Sequence, residues 1–426
     1  MVINIGTSLL LAALLASSVS TARAEGTAPA AEGKPAEAAS KEEVKALAEE
    51  VRRLKLELGL RDVEYQSYGG MGPAASKVYF APKGLSLGGY GEVVYANQLD
   101  VDGADESDLY RVVLYTGYRF NDRIVFNAEV EFEHHGELGV EFAYLDFLLS
   151  KALQLRAGNV LVPVGIVNEL HEPPFFNGVF RPQVERNLIP STWNENGLGI
   201  HGQAAGLRYQ AYLLTGLNAF SGDLGAGSWI RGARTGGGES PAETFAGVVA
   251  LGYAVGPANV GGSFYGGRAD QNVKAEATGE AIRVNVTLAE LHARAQWRGL
   301  SAKALAVTGR LGGAGALSEE LGLTGTAVIG SRVRGGYAEV AYDVLSAVAP
   351  GGEQSLTPFV RYEVLDLHDE VPAGGTRNPA LDQRFVTAGL TYKPIATVAV
   401  KADFTRKEAD TFSAQDSVNL GVGLVF

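Results

Sequence analysis

Arg181 and Arg186 share one stretch of chain with Glu169, His171, Glu172 and Glu185. Ionisable side chains of both signs crowded into one segment can steer ions, move protons or hold a metal. Metal binding is the weakest of these readings. The chain has 6 histidines, no two at ligand spacing, and the adjacent His134 and His135 point to opposite faces of any strand. Acid/base chemistry is offered by Glu129 and Glu131, about 7 Å apart along an extended chain. With many carboxylates on the same faces, that separation has no special meaning. Neither a nucleophile elbow nor a glycine-rich phosphate loop stands between a strand and a helix. We therefore expect no enzyme, no cofactor and no metal. Steering of ions remains.

The elements that position these charges are strands. In RIVFNAEVEFEHH (123–135), Ile124, Phe126, Ala128, Val130 and Phe132 alternate with Asn127, Glu129, Glu131 and Glu133. A period of two marks a strand with different surroundings on its two faces. The same alternation recurs in AELHARAQWR (289–298), SLTPFVRYEV (355–364), TVAVKADFTRK (397–407) and the terminal SVNLGVGLVF (417–426). About sixteen such segments follow residue 84. Short links such as Asn121-Asp122, Ala205-Gly206, Gly256-Pro257 and Gly299 alternate with long glycine-rich connections, including 165–196, 217–244, 269–286 and 310–331.

No amphipathic helix after residue 84 is available to cover the apolar faces. Closing the meander into a barrel removes its edges and sets the charged faces around water. Ten residues at about 45° tilt rise roughly 23 Å, the height of a membrane-facing apolar band. The sequence thus predicts an all-β, 16-stranded antiparallel transmembrane β-barrel over 85–426, with lipid outside and a hydrated pore inside. Inward charges are Arg111, Arg119, Glu129, Glu131, Arg208, Arg294, Arg298, Arg361 and Lys401. They divide between the signs, so the count alone sets no selectivity.

Residues 1–24 read as a signal peptide, with LLLAALLA followed by Ala22-Arg23-Ala24. Residues 25–40 have the composition of a disordered linker. In 41–60, Val44, Leu47, Val51, Leu54 and Leu58 keep heptad spacing, which predicts a short coiled-coil helix. A second linker spans 61–84. The 426 residues contain no cysteine, 55 glycines and a net charge of −12, which argues against disulfides and against nucleic-acid partners.

GLSLGGYGEVVY (84–95), the stretch from Leu155 to Gly202 and the terminal VNLGVGLVF together resemble the phosphate-selective porin O/P family of Gram-negative outer membranes. The resemblance implies a homotrimer whose third long loop, here 165–196, folds into the channel as a constriction. It also implies that Phe426 ends the signal read by the barrel-assembly machinery, and that the 41–60 helix lies in the periplasm. The function expected is passive diffusion of small hydrophilic, anionic solutes, phosphate included. The alternative is a non-transport barrel, serving as structural anchor or adhesin. For 165–196, Pro173, Pro174, Pro182 and Pro190 stiffen the chain, while Phe175, Phe176, Phe180 and Trp193 give it a side to pack.

Overall fold

Strand β3 (Ile124–Glu133) shows the inversion that alternation predicts. Glu129 is 0 % exposed, whereas Phe132 on the opposite face is 45 % exposed. Strand β10 (Asn285–Trp297) repeats it, with Glu290 buried and Leu291 72 % exposed. Carboxylates inside and leucines outside make sense only if the outside is hydrocarbon.

The computed structural model describes residues 66–101, 103–134 and 136–426, with the backbone alone at 412–414. The signal peptide, the 25–40 linker and the coiled-coil seam of Val44, Leu47, Val51, Leu54 and Leu58 lie outside the described residues, as does His135.

Sixteen strands run from β1 (Gly84–Gln98) to β16 (Phe412–Val425), each antiparallel to its chain neighbours. Pairing of β1 with β16, from Tyr90 opposite Val425 to Gln98 opposite Ser417, closes the ring. The main chain of Phe426 extends this seam, its N–H donating to Gly89 O at 2.9 Å and its carbonyl accepting from Gly89 N at 3.0 Å. Two-residue turns at one end use left-handed backbone at both positions: Ala205 and Gly206, and Arg298 and Gly299. That geometry matches the twist of the strands it joins. The long connections gather at the other end.

The exposed belt of Leu, Val and Phe predicts a stability effect. Leu291→Arg, at the centre of β10, should destabilise the folded barrel in lipid by about 2–4 kcal/mol. Denaturant titration in vesicles measures this, and an unmoved midpoint would show that the face does not meet hydrocarbon.

Within the second linker a short helix forms, α1 (Pro73–Phe80). Pro73 suits a first helical turn, where its missing N–H costs nothing. The helix lies inside the barrel. Asn127 Nδ2 donates to Ala75 O at 2.8 Å, and Arg119 Nη1 donates to Tyr79 O at 2.8 Å. The Tyr79 hydroxyl donates to Asp146 of β4 (Glu137–Phe147) at 2.7 Å. Gly117 on β2 (Glu106–Arg119) is required for this approach, since a Cβ there would stand 2.5 Å from Val78 Cβ. Loops fill more of the lumen. Trp193, Trp229, Leu188 and Ile230 are all fully buried within the ring, where Trp193 packs on Tyr265 of the wall.

Candidate constriction and vestibule

The long loop after β5 (Gln154–Leu161) ends at β6 (Asn194–Ala204), so it spans 162–193, three residues earlier than 165–196 at each end. Asn168 closes its neck. The Asn168 amide donates to Val162 O at 2.7 Å and Trp193 O at 3.0 Å, and its carbonyl oxygen accepts from Trp193 N at 2.8 Å.

From that neck the loop crosses the lumen and is bound to the far wall. Tyr337 of β12 (Arg332–Tyr342) donates its hydroxyl to Glu185 at 2.6 Å, and Val184 N donates to Glu363 of β13 (Ser355–Glu370) at 3.2 Å. Val179 N donates to Asp403 of β15 (Val398–Ala409) at 2.6 Å. The other carboxylate oxygen of Glu185 accepts from Ile166 N and Val167 N, both at 2.7 Å, which folds the loop on itself. Val184–Leu188 form one π-type turn that carries Glu185 toward the wall and Arg186 toward the open lumen.

Most inward charges neutralise one another. Arg361 sits between Glu363 at 2.9 Å and Glu339 at 3.2 Å, and also donates to the carbonyls of Asn177 and Phe180. Arg111 faces Glu133 at 2.9 Å, Glu131 at 3.3 Å and Glu92 at 3.7 Å. Lys401 lies 3.6 Å above the Phe176 ring. Arg119 and Arg208 hold the segment around α1, the latter donating to Gly69 O at 2.9 Å with Glu169 3.8 Å away. Glu172 binds the first turn of α1, accepting from Ala75 N at 3.0 Å and Ala74 N at 3.3 Å. Arg294 is half-buried on the inner face of β10. Arg298 departs from the expected wall position. It lies in the turn between β10 and β11 (Leu300–Gly312), exposed, with its guanidinium 4.9 Å from the Trp297 ring centre.

Four arginines are different. Arg181, Arg186, Arg231 and Arg234 line a cavity of about 690 Å³ above the crossing loop, and among the described residues none has a carboxylate oxygen within 4.0 Å. Arg186 lies over Phe180, 5.3 Å from the ring centre. Arg231 donates to Arg186 O at 2.5 Å and Arg234 to Ser191 O at 3.1 Å, so the 216–244 loop rests on the constriction loop through these two side chains. Burial, then the neighbouring charges of Arg234 and Arg186, push the Arg231 guanidinium down to about 10. It stays charged at neutral pH, and an anion in the cavity would relieve the repulsion that lowers it.

The sequence singles out Arg181 and Arg186 but not Arg231 and Arg234, since 217–244 reads only as a long polar loop. Its one signal was Trp229-Ile230 amid glycines, an apolar pair that marks a packed loop.

No protein-family model matches the chain. An uncharacterized protein of Aquifex aeolicus (strain VF5) is 39% identical over 373 residues, covering 84% of this chain and 83% of that protein. Among solved structures, OmpF of Salmonella typhi in complex with daunomycin superposes with a TM-score of 0.54 at 12% identity, over 80% of this chain and 97% of that one. A loop L8 deletion mutant of OmpT, an outer membrane protein of Vibrio cholerae, gives 0.51 at 15% identity, over 80% and 99%. At these identities the likeness establishes the fold, a porin-like closed barrel.

Proposed function

The chain belongs to one family with the uncharacterized Aquifex aeolicus protein, and we propose that it is an outer-membrane channel that passes small hydrophilic anions by diffusion. One observation carries this reading: among the described residues, four arginines on the vestibule have no carboxylate oxygen within 4.0 Å, whereas Arg111 and Arg361 are neutralised in the wall. Of the acids on the same cavity, Asp108 is engaged by His134, and Asp403 by Val179 N and Asn419. Guanidinium groups that face a cavity without a paired carboxylate raise the local concentration of anions relative to cations.

The finer assignments belong to the same proposal. Phosphate is a candidate solute by resemblance to the phosphate-selective porins. A homotrimer, recognition of Phe426 by the assembly machinery, and a periplasmic 41–60 helix complete the picture. In a planar bilayer with a potassium chloride gradient, the full chain should give discrete conductance steps whose reversal potential has the chloride-permeable sign. A cation-signed reversal potential would reject the anion assignment.

A second reading is favoured by α1 and the packed loops, which occupy much of the lumen. A plugged barrel acting as anchor or adhesin would insert without any conductance. The same bilayer recording separates the two.

A further inference from the structure

On the wall side of the constriction loop, His171 meets two strands. His171 Nε2 is 3.1 Å from Glu129 Oε1 on β3 and 3.5 Å from Glu141 Oε2 on β4. The three residues are buried, at 2 %, 0 % and 6 % exposure in that order, and their donor atoms all lie within 4.8 Å of one another. The other ring nitrogen, Nδ1, is 2.8 Å from Asn168 O and donates its hydrogen there. A neutral imidazole so fixed presents a lone pair at Nε2. That lone pair faces carboxylate oxygens, which are acceptors as well.

Three acceptors converging in a buried space repel unless a cation or a shared carboxyl proton lies between them. A proton on Nε2 would serve one oxygen only. Two oxygens here, Oε2 of Glu129 and Oε2 of Glu141, have no hydrogen-bond partner. The Tyr115 hydroxyl, 3.5 Å from Nε2, is a neutral neighbour that does not balance them. We propose that Glu129, Glu141 and His171 bind one divalent transition-metal ion that clasps the constriction loop to the barrel wall.

The dimensions suit such an ion. Bonds of about 2.0–2.2 Å in a tetrahedral site place neighbouring ligand atoms roughly 3.3–3.6 Å apart, close to the two spacings from Nε2. The Nδ1–H bond to a carbonyl is the outer contact that orients a metal-ligating histidine. One imidazole with two carboxylates suits zinc or manganese. Arg181 donates to His171 O at 3.3 Å and Arg111 engages Glu131, and neither guanidinium lies within 4.0 Å of a carboxylate oxygen of Glu129 or Glu141. The sequence hides the site because the donors come from two strands and a loop, and meet only when the loop docks. The clasp is independent of solute choice, so it stands or falls apart from the channel reading.

The full chain, folded in detergent with zinc chloride and dialysed against a weak chelator, should retain about one zinc per chain by mass spectrometry. His171→Ala and the paired Glu129→Gln/Glu141→Gln variant should lower that content at least tenfold. His134→Ala, at an exposed pair with Asp108, should leave it unchanged. X-ray absorption at the zinc edge of the unsubstituted protein should show nitrogen and oxygen ligands with a single imidazole, a readout that needs no variant. Folded protein without bound zinc would overturn the proposal, as would zinc retained in full by His171→Ala or an edge spectrum lacking imidazole.

Discussion

Replacing Arg186, Arg231 and Arg234 together by glutamate is expected to invert the selectivity of the channel. Each reversal changes the interaction with an anion about 7 Å away by roughly 1 kcal/mol at the dielectric of water. Three reversals sum to about 3 kcal/mol before screening, so the chloride-to-potassium permeability ratio should fall at least tenfold in 0.1 M salt. Glutamine at the same positions should give about half that change in free energy. In 1 M salt the Debye length shrinks to about 3 Å, and the difference between variants should nearly vanish. Arg361→Gln should have a smaller effect on selectivity, because its charge is already matched by Glu339 and Glu363. Reversal potentials in opposed salt gradients measure all of these. An unchanged value in the triple glutamate variant would remove the arginine cluster from any role in permeation.

Exchanging residues 66–83 for a glycine-serine chain of equal length should at least double single-channel conductance. A helix fills a cylinder about 10 Å across, and α1 places one inside a barrel of a size that otherwise leaves an aqueous channel. The exchange removes the bonds from Asn127, Arg119 and Tyr79 that hold α1 against β2, β3 and β4. The carboxylates and guanidinium groups left behind would be hydrated and would widen the polar path. If the native barrel is closed, the same exchange should turn a silent protein into a conducting one. Conductance that stays the same in the exchanged, folded barrel would show that α1 stands clear of the permeation path.

The sequence by itself determined the barrel. Alternation is a local property: a strand such as β3 shows its two faces through the side chains at successive positions, whatever lies beyond them. Sixteen alternating segments with turn residues between them therefore gave the strand number, the lipid face and the pore face, and the length of 165–196 marked the loop that crosses the lumen. Tertiary structure alone decided what happens inside. The eight residues of α1 are buried on most sides, against wall and loop, so they show no apolar stripe that would announce a helix. Arg111 and Arg361 fall on alternating strands and Arg231 and Arg234 in a long loop, but nothing in the sequence shows that the first two are neutralised by carboxylates on neighbouring strands. Which charges cancel depends on register across the sheet and on where the loops come to rest. Glu129, Glu141 and His171 converge for the same reason: their nearness is created by docking of the loop, and no spacing along the chain encodes it.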